Sequence, residues 1–217
     1  LFSMALPAHT LALLAMASVA TATIQVNMDM AQHSFDDQYL QCSAKMTKNL
    51  PELQRLDFHN NEKFAKNWTM ATAEWQKRGS ISSPLSPDQA IALMAYTMNF
   101  TKLYKPFNTA MRTAGYSSDK YRHEFPFKSL HFLLTQALQK LKPDKCQDVY
   151  RGVRGVKFNT MVGMKVRFGQ FASTSLSETV AQGYGLDTVF KVRTCHGADI
   201  QKFSYDQSEK EVLIPPF

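Results

Sequence analysis

Apolar positions recur at helical spacing as far as Pro143 and at strand spacing beyond it. Phe64, Trp68, Ala71 and Trp75 fall three or four residues apart. This predicts an amphipathic helix from about Asn61 to Lys77, ended by Gly79 and the Ser-Pro segment that follows. Its two tryptophans lie on the stripe that a helix must bury and read as core. Ser86-Pro87-Asp88-Gln89 is a capping box with proline at the first helical position. It predicts a helix through Ala90, Ile91, Leu93, Met94 and Met98 that ends near Phe100. Tyr104 to Arg112 suits a short helix broken at Gly115. The stripe Leu130, Leu133, Leu134, Ala137, Leu138 and Leu141 marks a long helix from about Phe127 to Leu141, stopped by Pro143. His131 on it reads as a surface or boundary residue. Residues 23 to 60 lack strong periodicity and read as loop with short helical turns.

After Pro143 the texture changes to short β-type runs: Val149-Tyr150, Met164 to Phe168, Thr188 to Arg193, Ile200 to Tyr205 and Val212 to Ile214. A helix is expected from about Glu178 to Tyr184. The layout is α+β, with a mainly helical lobe (residues 23–143) packed on a β-rich core (residues 144–217) in one domain.

The chain's 217 residues suffice for a domain with a real core, and 44% hydrophobic content excludes disorder by composition. A net charge of +7 raises nucleic acid as a partner. The basic residues are scattered, however, and no zinc-finger or RRM motif is present, so nucleic-acid binding is set aside. From Met4 to Ala22 there is no Lys, Arg, Asp or Glu; an apolar centre at Leu11–Ala17 is followed by Ala20-Thr-Ala22. Residues 1–22 therefore read as a secretory signal peptide, despite the missing basic n-region. In an oxidising compartment Cys42, Cys146 and Cys195 are disulfide candidates, and three leaves one without a partner in this chain. No CxxC or HxxxH spacing points to a metal. Asn67-Trp-Thr69 and Asn99-Phe-Thr101 are glycosylation sequons.

Three motifs in the β-rich part carry candidate chemistry. In Val149-Tyr150-Arg151-Gly152-Val153 an arginine at a strand end offers a planar fork suited to pyrophosphate, and the glycine allows close approach. In Gly169-Gln-Phe-Ala-Ser-Thr-Ser-Leu176, alternation places Phe171, Ser173 and Ser175 on one face. That face would set an aromatic surface beside two hydroxyls, while Thr174, Ser175 and Ser177 serve equally well to cap the following helix. In Glu209-Lys210-Glu211, two carboxylates would share one strand face and raise each other's pKa.

Taken together, Arg151, Ser173 and Glu211 resemble the Arg-Ser-Glu signature of the vertebrate ecto-mono-ADP-ribosyltransferases. The likeness is close in Tyr150–Val153, Val166–Leu176 and Glu209–Pro215, and looser through the helical part, as at Ala95-Tyr96-Thr97. It implies a β-rich core that binds NAD, or NADP, as co-substrate. Arg151, Gly152, Phe171 and Ser173 would hold the dinucleotide, and Glu211 would stabilise the charge that develops as nicotinamide leaves. Glu209 would bind the guanidinium of an acceptor protein's arginine. The resemblance also implies a Cys146–Cys195 disulfide, a partner for Cys42 beyond Phe217 in a longer chain, and secretion or GPI anchoring at the outer cell surface. Two other readings compete with arginine transfer: an NAD glycohydrolase, and a non-catalytic basic secreted module.

Overall fold

The computed structural model describes residues 22–79 and 83–217. Residues 1–21 of the expected signal peptide lie outside them. The helical part comprises α1 (Ser43–Asn60), α2 (Glu62–Arg78), α3 (Pro87–Thr97), α4 (Tyr104–Ala114), α5 (Ser118–Glu124) and α6 (Lys128–Leu141). The strands that follow are β2 (Gln147–Val153), β4 (Ala172–Ser175), β5 (Thr188–Thr194), β6 (Ala198–Asp199) and β7 (Glu211–Ile214). They form an antiparallel sheet of order β5-β2-β4-β7-β6. A parallel pair, β1 (Ile24–Asn27) with β3 (Val156–Asn159), stands apart from it, and α7 (Glu178–Gly183) links β4 to β5.

Strand alternation divides the sheet's side chains between two cores. Phe171, Ala198 and Leu213 face the helices and join Leu93, Met94, Phe107, Leu130 and Leu134 in the main cluster. Val149, Ala172, Val212 and Ile214 form a smaller cluster on the other face. Burying an aliphatic side chain of this size contributes about 1.5–3 kcal/mol, so the helices and the sheet hold each other in place. The capping box at Ser86 forms as the sequence predicts. The Ser86 hydroxyl accepts from the Gln89 N–H at 3.3 Å, and Gln89 Oε1 accepts from the Ser86 N–H at 3.0 Å. Trp68 and Trp75 are half-buried against the main core.

Several expectations are corrected. Residues 23–60 are not loop but contain β1 and the 18-residue α1. Pro51 lies inside α1, and only Leu50 and Asp57 are buried on it, so its stripe is faint. Tertiary contacts hold it, with the Asp57 carboxylate accepting from the Ser129 N–H at 2.7 Å and its hydroxyl at 2.6 Å. The run Met164–Phe168 pairs in no ladder. Its backbone instead meets the N-terminal segment, where the Arg167 N–H donates to Asp29 O at 2.8 Å. Ile200–Tyr205 is a turn in which Phe203 and Ser204 both donate N–H to Ile200 O. His131 is fully buried, hydrogen-bonded to the Tyr39 hydroxyl at 2.8 Å and to Phe35 O at 3.0 Å, and burial pushes its pKa down to about 3. Asn67 is 2% exposed and donates to the Thr101 hydroxyl, so this fold has no room for a glycan there, whereas Asn99 is exposed.

Candidate active site

β4 and β7 lie side by side with Ser175 opposite Glu211 and Ser173 opposite Leu213. That register places Glu211 diagonally across from Ser173 on the face turned to the helices. Its carboxylate is 3% exposed, and the Ser204 hydroxyl donates to Oε2 at 2.9 Å. Burial raises the pKa of Glu211 to about 7, against the opposing pull of Ser173, Ser204 and Arg151. Arg151 is carried by β2, which is held along its whole length by β5, and its Nη1 donates to Ser173 O at 2.7 Å. The three residues picked out by sequence therefore meet at the centre of the sheet.

Glu209 reaches the same place by another route. It is not on the strand with Glu211, because a 3₁₀ turn, Gln207–Glu209, is closed by Lys210 in the left-handed region at φ 48°. Asp206 caps that turn, and the Ser175 hydroxyl donates to Glu209 O at 2.6 Å. The half-buried carboxylate accepts a hydrogen bond from the Tyr184 hydroxyl. Burial raises its pKa, Tyr184 opposes the rise and Asp206 adds to it. Both carboxylates line one cleft of about 640 Å³, within the usual size range of ligand sites.

The remaining sequence candidates divide. Gly152 lines the cleft, and its backbone also packs against α7: a Cβ there would stand 2.1 Å from Ala181 O and 2.5 Å from Gly185 O. Gly152→Ala is therefore expected to cost about 2–3 kcal/mol in urea denaturation, because strand and helix must separate to admit the methyl group. The expected aromatic surface at Phe171 is corrected. The ring is fully buried, 5.8 Å from the Phe107 ring and 5.5 Å from that of His131, so it forms the floor of the cleft from within the core. Thr174 donates to Val212 O at 2.6 Å, and the Ser177 hydroxyl caps α7 by accepting from the Val180 N–H. These two hydroxyls are structural.

Residues outside the three motifs complete the walls. The buried Tyr96 hydroxyl donates to Phe171 O at 3.0 Å, and Asn108 Nδ2 donates to the same carbonyl at 3.2 Å. Asn108 lines the cleft, and its Oδ1 is buried with no hydrogen-bond partner among the described residues. Arg112 adds a cation at the rim. The helical stripes read from the sequence include neither Tyr96 nor Asn108, and Ser204 lies in a run that reads as strand. The cleft combines a cationic arm, a buried carboxylate of high proton affinity and a second carboxylate nearer the solvent. Such a set can bind a phosphorylated sugar and stabilise positive charge at its anomeric carbon.

A family model described as NAD:arginine ADP-ribosyltransferase matches residues 28–217. The chain is 52% identical over 200 residues to NAD(P)(+)–arginine ADP-ribosyltransferase 2 of Gallus gallus, covering 90% of this chain and 64% of the relative. It is 45% identical over 213 residues to the GPI-linked NAD(P)(+)–arginine ADP-ribosyltransferase 1 of Homo sapiens, covering 89% and 64%. The chain thus spans just under two thirds of the length of these curated relatives. The crystal structure of the eukaryotic mono-ADP-ribosyltransferase ART2.2 superposes with a TM-score of 0.79 at 36% identity, covering 88% of this chain and 86% of that one. A mutant of ART2.2 in complex with NAD gives a TM-score of 0.78 at 35% identity, with coverage of 89% and 86%.

Proposed function

The chain belongs to the NAD:arginine ADP-ribosyltransferase family, and on that premise we propose that it transfers ADP-ribose from NAD to arginine side chains of acceptor proteins with release of nicotinamide. The observation that carries this reading is one cleft holding the buried Glu211, the Arg151 guanidinium and the second carboxylate of Glu209. Arg151 neutralises the diphosphate and Ser173 contacts the nicotinamide ribose. As the bond between the ribose carbon and the nicotinamide nitrogen breaks, its electron pair leaves with nicotinamide and positive charge grows on the sugar. Glu211, ionised and held away from water, stabilises that charge. A guanidinium nitrogen of the acceptor then bonds to the same carbon, and its proton passes to Glu209, whose two oxygens match the guanidinium fork. The balance is NAD plus arginine giving ADP-ribosyl-arginine, nicotinamide and a proton. The GPI-linked relative supports a place at the outer cell surface or in secretion, and the NAD(P) names of both relatives support either dinucleotide as donor.

The test is transfer of labelled ADP-ribose to agmatine by full-length, oxidised protein. Incorporation of label is expected, and its absence would sink the reading. Glu209→Gln is expected to lower transfer about 10- to 100-fold while nicotinamide is still released as free ADP-ribose accumulates. Equal loss of both would remove Glu209 from the acceptor role. A wild-type product that is all free ADP-ribose would mark a glycohydrolase.

A further inference from the structure

The steps above leave one contact in the cleft unused, the hydrogen bond from the Tyr184 hydroxyl to Glu209 Oε1. Tyr184 is the C-cap of α7, and its backbone is fixed on both sides. Arg154 Nη2 donates to Gly183 O at 3.2 Å. Gly185 takes φ +150° and packs so closely that a Cβ would stand 2.2 Å from Arg154 N. Only glycine fits there, and the phenol therefore extends from a clamped base. Glu209, by contrast, sits on a three-residue turn, and its carboxylate has no other hydrogen-bond partner among the described residues. Both side chains line the cleft, and Tyr184 is 52% exposed.

We propose that Tyr184 is a positioning residue of the acceptor site: its hydroxyl aims the Glu209 carboxylate into the cleft, leaving Oε2 and the open face of the phenol ring to receive the guanidinium. The inference rests on the transferase reading and adds a specificity element to it. A carboxylate oxygen holds two lone pairs, so Oε1 can accept from tyrosine and arginine together. A guanidinium over the ring also gains a cation–π contact. The charged and titratable groups around Glu209 are Asp206 ahead of the turn, Lys210 after it, Glu211 on β7, Arg151 on β2 and Arg154 beyond β2. Of the side chains that shift Glu209, Tyr184 favours the ionised form and Asp206 opposes it. Loss of the hydroxyl should therefore raise the pH at which Glu209 ionises.

The experiment measures initial rates of transfer from saturating NAD to agmatine for full-length wild type, Tyr184→Phe and Tyr184→Ala. One lost hydrogen bond to a charged group predicts an agmatine KM about tenfold higher in Tyr184→Phe. The acid-side rise of its agmatine KM, which follows Glu209 and not Glu211, should begin at higher pH than in wild type, and its ratio of linked to free ADP-ribose should fall. Tyr184→Ala should raise the agmatine KM further, because the ring face is gone as well. An agmatine KM unchanged in size and in its pH dependence in Tyr184→Phe would overturn the proposal, as would equal rises in the KM values for agmatine and NAD. A wild type that moves no ADP-ribose to agmatine would instead overturn the transferase reading and this inference with it.

Discussion

Glu211→Gln is expected to lower ADP-ribose transfer about 100- to 1,000-fold and to stabilise the folded protein at pH 8 by about 3 kcal/mol. The loss of rate follows from removing the charge that faces the developing oxocarbenium ion inside a buried site. The gain in stability has the same origin. Burial raises the carboxyl from its ordinary 4.5 to about 7. The folded state therefore prefers the protonated form, and the stability that this preference contributes is complete below pH 4.5 and lost as pH rises through 7. A tenfold change in proton affinity is worth about 1.4 kcal/mol, which gives about 3 kcal/mol at pH 8 and almost nothing at pH 4.5. Glutamine keeps the shape, offers Ser204 an oxygen and does not ionise. For a chain of this length the gain corresponds to about 6–12 °C in Tm. Urea denaturation of both proteins at pH 4.5 and pH 8 checks it, and a difference that does not widen with pH would contradict the assignment. The wild type's kcat/KM for NAD should rise with pH through about 7, because only the ionised carboxylate acts.

The features legible in the sequence are those set by local chemistry. The helix from Pro87 announces itself because Ser86 and Gln89 satisfy each other's backbone partners within four residues. Arg151, Ser173 and Glu211 are legible as motifs, and the sheet order that joins them makes strands distant in sequence into neighbours. The features that escaped depend on contacts between distant residues. α1 has a faint stripe and an internal proline, and its buried Asp57 is satisfied by Ser129, 72 residues away. The run from Ile200 to Tyr205 has strand-like residues. It turns instead, and so brings Phe203 to Trp75 and Ser204 to Glu211. Alternation placed Glu209 beside Glu211 on a strand. The left-handed Lys210 puts it on a turn within reach of Tyr184, and no period-2 pattern contains that information. His131 interrupts an apolar stripe in the sequence, yet in the fold it is a core residue because Tyr39 and Phe35 supply both ring nitrogens with partners.

Removing the Cys146–Cys195 disulfide, which the structure forms between the residues flanking β2 and β5, is expected to cost about 4 kcal/mol. The bond closes a sequence separation of 49 residues that contains most of the β-rich part, including α7 and the Ser173 strand. Without it the unfolded chain regains the freedom of that loop, and the logarithmic dependence of closure entropy on length gives the quoted figure at 25 °C. The sheet feels the loss unevenly. β2 pairs with β5 from Gln147–Thr194 to Val153–Thr188, and the disulfide locks the end of that ladder where the chain enters β2. Arg151 lies further along the same strand, so fraying from the unlocked end loosens its hold on Ser173 O. The double variant Cys146→Ser/Cys195→Ser should thus lose about 8–16 °C in Tm. Below its transition it should also bind NAD more weakly than wild type, by the fraction of molecules in which the strand has opened. Differential scanning calorimetry with NAD titration at 15 °C measures both. A variant with wild-type Tm would show that the seven-residue β2–β5 ladder alone holds the arginine in place.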